Sequence, residues 1–272
     1  MPNKNLTLFD TDKVNDVANI KGKTWLKGEV IFKNIDTGEP ILTLHNKVII
    51  AGSQFVAQKV FDLSELVHLP TYNESLSLDE SVEHGTTPLN IPKACLFCCG
   101  TQGCGAENSQ VYPVDYTGRI APYGDLVPFR YQLKQNDLTD EERAIYFGRK
   151  TTDDRYAYYF KAFDSDPVMY MRYTDGTVID ETIYDSQNDS DAETFVEMKL
   201  SITKDDFRDY FRATTSINDA RINSISLLTA WYTEGDGYKW YQDIIPLTQL
   251  NIPNEALIDL TKGIDITYHI YF

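Results

Sequence analysis

Ile264, Ile266, Tyr268, Ile270 and Phe272 alternate with Asp265, Thr267, His269 and Tyr271 at the C-terminal end of this chain. Period-two alternation puts every second side chain on one face, so the segment reads as a strand with one buried side. Chain ends usually fray, so an apolar strand at this position predicts an end built into a sheet. The fold would then close only when its last residues are made. That suits a part for assembly better than a tailed enzyme.

The 272 residues suffice for one large β-rich domain or two smaller ones. A hydrophobic share of 42% beside 24% charged residues is that of a soluble globular protein, so a packed core is expected. No apolar run approaches membrane-spanning length, and Met1 to Asp10 lacks the basic start and apolar stretch of a secretory signal. The expected setting is a reducing cytoplasm with no membrane partner.

Lys and Arg number 25 against 41 Asp and Glu, a formal charge of -16. Nucleic-acid binding relies on clustered bases that neutralise phosphate, and no basic cluster here exceeds a pair, so sequence-specific binding is not expected. The acidity serves solubility, or it lines a conduit that repels a passing polyanion. The 18 Tyr residues suit strands and cores, and also interfaces or a sugar-binding face, where an apolar ring with a polar tip is useful.

Residues 1–22 are polar and aperiodic and read as an extended arm, leaving 23–272 as a single β-rich domain with a loop-rich insertion at about 64–136. Trp25 to Lys33 and Pro40 to Val48 are strand-like, joined by a hairpin loop from Asn34 to Glu39. After Gly52, Val56, Val60 and Leu63 have helical spacing, with Ser53 as cap. Thr139 with Glu142 forms a capping box, and Gly148 is suited to end that helix. Thr174-Asp175-Gly176 signals a hairpin between Met169–Tyr173 and Thr177–Ile179. Val196 to Ile202 alternates. Thr203, Asp205 and Asp206 are placed to start a helix through Phe207, Tyr210 and Phe211. Ile225 to Trp231 and Tyr238 to Ile245 flank a Gly-rich loop. The expected fold is mainly β with a few short helices (α+β), with a β-sandwich-like core and long loop insertions.

All four cysteines fall in one segment, Cys95, Cys98, Cys99 and Cys104. Cys-x-x-Cys followed by Gly is half of a zinc knuckle, and His84 is the nearest histidine to complete a set. A second Cys-x-x-Cys is missing, so the other reading is thiols packed in a Gly-rich turn. Zinc is the one cofactor the sequence suggests. The histidines His45, His68, His84 and His269 form no metalloprotease pattern, and no nucleophile elbow, phosphate loop or dinucleotide fingerprint occurs. No catalytic residue is assigned and no enzyme is expected. The acidic run from Asp180 to Glu193 lacks a regular calcium-loop pattern and reads as a solvated hairpin tip.

Three stretches together resemble a known group. Asn46 to Ala57 resembles a strand-to-helix entry of certain tailed-bacteriophage virion proteins. Ile225–Leu228, Leu250–Pro253 and Ile264–Phe272 are similar to their final sheet, and Arg119–Tyr123 with Gly148–Lys150 to virion proteins of large contractile-tailed phages. The resemblance covers most of the chain past residue 40 and leaves the cysteine segment outside it. It implies a β-rich subunit of a neck, collar or head–tail connector ring, localised in the virion. Its expected partners are copies of itself and other neck or tail proteins. The alternative is a baseplate or fibre module that recognises cell-surface carbohydrate through exposed Tyr and Trp, with Trp231 and Trp240 as the test positions.

Overall fold

A computed structural model describes residues 27–48, 71–72, 78–79, 92–101, 103, 126–172, 177–180, 193–215, 222–235, 238–252 and 263–271. The strands are β1 (Lys27–Asn34), β2 (Pro40–Val48), β3 (Thr71–Tyr72), β4 (Leu78–Asp79), β5 (Lys93–Gly100), β6 (Leu126–Val127) and β7 (Arg130–Leu133). Helix α1 (Asp140–Arg143) then precedes β8 (Tyr146–Thr151), β9 (Arg155–Ala162), β10 (Val168–Arg172), β11 (Val178–Asp180) and β12 (Glu193–Ile202). Helix α2 (Arg208–Thr214) is followed by β13 (Ser224–Gly235), β14 (Tyr238–Asn251) and β15 (Ile264–Tyr271). The protein is mainly β with few short helices, as its sequence predicts.

The main path of the sheet is β11-β10-β12-β15-β1-β2-β14-β13-β5-β9-β7, with β8 also pairing β9. The C-terminal strand is an interior one. Tyr268 of β15 sits opposite Val30 of β1 and Met198 of β12. Ile266, Tyr268 and Ile270 are 1%, 0% and 5% exposed, so the alternating face is buried as expected.

This sheet cannot be flat. Neighbouring strands lie about 4.8 Å apart, so β14 and β15, with β1 and β2 between them, would be well over 10 Å apart in a flat sheet. Instead Thr248 Oγ1 and Tyr268 Oη lie 2.6 Å apart within the core. Further round, the end of β9 reaches β12: Asp164 N–H donates to the Lys199 carbonyl at 2.9 Å. The sheet therefore curls over on itself. Val30, Phe32, Phe97, Tyr158, Met198 and Ile225 come from both halves and share one core. A sandwich-like interior thus arises from one folded-over sheet, closed at the β9–β12 seam by a few hydrogen bonds rather than a ladder.

A second apolar cluster, with Leu96, Cys98, Phe147, Phe160, Leu228 and Ile244, lies apart from this core. Strands β5 and β13 contribute to both clusters and so are covered on both faces.

The segment expected to be a cysteine turn is strand β5, in the interior of the sheet between β13 and β9. The regions 92–101 and 126–136 of the expected insertion are thus partly sheet. The capping box is present: Glu142 N–H donates to Thr139 Oγ1, and Thr139 N–H to Glu142 Oε2. Helix α1 nonetheless stops at Arg143, and Gly148 lies inside β8 with φ of +67°. A Cβ there would stand 2.6 Å from the Phe160 ring. Gly148→Ala should therefore cost about 1–3 kcal/mol by urea unfolding, from the left-handed backbone and the clash together.

The expected helix from Thr203 begins later, at Arg208. Residues up to Phe207 form a turn, because the Asp206 carboxylate points inward rather than toward a helix end. The arm at 1–22, the helix after Gly52, the 174–176 turn, most of the acidic run and His84 lie outside the described residues.

Candidate functional site

Two polar clusters and one exposed hairpin stand out from the packing. The first cluster lies at the seam. Lys161, in β9, and Asp206, in the turn before α2, form an ion pair at 2.8 Å with side chains 3% and 0% exposed. Asp206 Oδ2 also accepts from Thr203 N–H at 2.8 Å, and Oδ1 accepts from Tyr146 Oη at 2.7 Å. Lys161 donates in addition to the Ser201 carbonyl at 2.8 Å. Its Nζ lies 5.4 Å from the Tyr146 ring centre and 6.0 Å from that of Phe129.

The surroundings hold this pair in place. Phe207 adopts φ of 63°, rare for a bulky residue, and its N–H donates to the Phe129 carbonyl at 2.8 Å. The two phenyl rings pack at 4.6 Å. Arg130 stacks over Tyr146 and bonds Glu142, the acid of the capping box, so α1 is tied into the same network. Burial, and then the Asp206 charge, push the Tyr146 hydroxyl far above its ordinary range, so it stays a hydrogen-bond donor. Burial likewise raises Asp164 beside the seam, where the Ser201 hydroxyl donates to it at 2.8 Å.

The second cluster crosses β1, β15 and β12. Glu29, His269 and Glu197 stand directly opposite one another in the register. His269 Nε2 is 3.0 Å from Glu197 Oε2, while Nδ1 is 3.5 Å from Glu29 Oε2 and makes no hydrogen bond. Tyr271 donates to the same Glu29 oxygen at 3.2 Å. Phe195 packs on His269 at 4.6 Å and stacks on Tyr170 at 5.5 Å. The row cross-braces three strands with hydrogen bonds and aromatic contact.

The cysteines do not converge. Cys98 belongs to the outer apolar cluster and Cys99 to the main core, because successive strand residues face opposite sides. One ion cannot meet both thiols. Cys95 packs toward the Cys98 side, and Cys104 lies outside the described residues. Among the described residues, no group of three or more His, Cys, Asp or Glu is disposed to hold a metal ion. Burial holds the Cys99 thiol well above its ordinary range, with the neighbouring Cys98 and Asp206 adding to the effect. Alkylation of the native protein at mildly alkaline pH should leave Cys99 unlabelled. Peptide mass mapping should then find it labelled once denaturant is added.

The third feature is the hairpin of β13 and β14. Pairing of β13 with β5 ends at Ala230, and β2 covers only Thr248 and Gln249 of β14. Beyond these points, apart from a contact of Ile244 with β3, the two strands pair only with each other among the described residues. Tyr241 anchors the ribbon against Phe147 at 4.6 Å. Tyr232 and Trp240 stay 44% and 43% exposed, whereas Trp231 is half-buried.

The sequence pattern does not mark Lys161, and it marks Asp206 only as an acid at a helix start rather than as a partner for a buried base. A lone Lys within the aromatic run Tyr156–Ala162 was the available signal, since a buried Lys needs a partner. Asp206 resembled an ordinary acid at a helix start. No family model matches the chain, and no curated protein or solved structure is significantly similar to it.

Proposed function

We propose that the chain is a structural subunit of a tailed-phage virion, a ring-forming neck, head–tail connector or collar protein that assembles with its own copies and with adjoining neck or tail proteins. The observation that carries this reading is the β13–β14 ribbon, which offers Tyr232 and Trp240 to solvent past the strands that flank it. A two-stranded ribbon is marginal alone in water, and exposed aromatic anchors favour a neighbour that covers them. The interior of the fold supports the same view: the Lys161–Asp206 pair is buried in packing rather than presented to a substrate. The phage assignment itself rests on the sequence resemblance.

Electron microscopy tests it. The purified chain should form closed rings, and antibody against it should label the neck region of virions. A uniform monomer with no virion labelling would overturn the proposal.

The exposure of Trp240 and Tyr232 also favours a second reading, a baseplate or fibre module that stacks sugar rings on these side chains. It predicts glycan-array binding that Trp240→Ala removes. Unchanged ring assembly in that variant would separate the two readings.

A further inference from the structure

We propose that Lys161 and Asp206 condense to an isopeptide bond, Nζ to Cγ, once the chain has folded, so that the curled sheet carries a covalent staple at its seam. The geometry holds the two groups in contact and out of water. The amine lies 2.8 Å from Oδ2, both side chains are sealed from solvent, and aromatic rings of Phe129 and Tyr146 wall the amine. Holding two reacting groups in contact removes most of the entropic barrier to their joining.

The step balances without a cofactor. A proton passes from the ammonium to the carboxylate across the contact, giving an amine and a carboxylic acid. The nitrogen lone pair attacks Cγ, and the charge that develops on Oδ1 meets the Tyr146 hydroxyl, already 2.7 Å away. The carbon–oxygen bond to Oδ2 breaks, a second proton from nitrogen joins the departing hydroxyl, and water leaves. Nothing is oxidised or reduced. The product is a neutral amide, which relieves the cost of keeping two charges out of water.

Most of the network survives the change. The amide N–H still faces the Ser201 carbonyl, and Oδ1 still accepts from Tyr146. Thr203 N–H alone loses its acceptor. The bond would tie β9 to the segment that follows β12, where the sheet is otherwise closed by isolated hydrogen bonds. A cross-link there restrains opening of the whole curl. This inference does not depend on ring assembly: rings built from an unlinked chain would sink the staple and spare the assembly.

The test is the intact mass of the folded, purified chain, measured after denaturation. The expected mass is lower than the sequence mass by one water, and digestion should yield one branched peptide joining Lys161 to Asp206. Lys161→Arg and Asp206→Ala should each restore the full mass. A folded wild-type chain at full sequence mass would overturn the proposal. So would loss of water that maps elsewhere or persists in Asp206→Ala.

Discussion

Asp206→Ala should lower the unfolding free energy by at least about 3 kcal/mol, because it leaves the Lys161 amine buried without its partner whether the two are held as an ion pair or joined as the amide. The loss has a direction set by the contacts. Without Asp206, the Lys161 ammonium keeps only the Ser201 carbonyl and two aromatic rings, and Tyr146 and Thr203 lose their acceptor as well. Lys161→Met should cost less, because the carboxylate retains Tyr146 Oη and Thr203 N–H. Urea unfolding followed by circular dichroism reads both values. If Asp206→Ala loses less than about 1 kcal/mol, the seam is not held as described.

Tyr268→Ala should be comparably severe, at about 3–5 kcal/mol, because it empties a fully buried aromatic position and leaves a cavity. Tyr268 also carries the contact that identifies the curl, its hydroxyl 2.6 Å from Thr248 on a strand that is not its neighbour. Tyr268→Phe keeps the ring and removes the hydroxyl, and with it the contact to Thr248 Oγ1. It should cost about 1–2 kcal/mol. A Phe variant as damaged as the Ala variant would mean that the hydroxyl contact, not ring packing, holds the two halves together.

Strands with one wet face were the readable part of this chain. β2, β12 and β15 alternate in sequence because one side of each meets solvent or polar neighbours, and β2 runs over the residues its pattern predicts. β5 hid for the opposite reason. It is apolar on both faces, so Leu96 to Cys99 is a continuous run without period, and its cysteines drew attention to metal chemistry instead. The capping box of α1 was legible because it is written in four adjacent residues. The seam was not, because Lys161 and Asp206 are 45 residues apart and meet only when the sheet has curled. Asp206 mimicked a helix-start acid, and Phe207 in the left-handed region broke the helix that the acids suggested. The row of Glu29, His269 and Glu197 depends on the register of three strands distant in sequence, which no local pattern encodes.

These features describe a protein held from within by the buried Lys161–Asp206 network and an interior β15, with Tyr232 and Trp240 exposed on the β13–β14 ribbon. Under the proposed reading, Tyr232 and Trp240 are the side chains that a partner would cover.

Sedimentation velocity on the purified chain tests that view most directly. The account predicts a discrete species at a fixed multiple of 31.1 kDa, displaced toward the single-chain mass when Tyr232 and Trp240 are both changed to Ser. A wild-type protein that stays at 31.1 kDa across the accessible concentration range would contradict it.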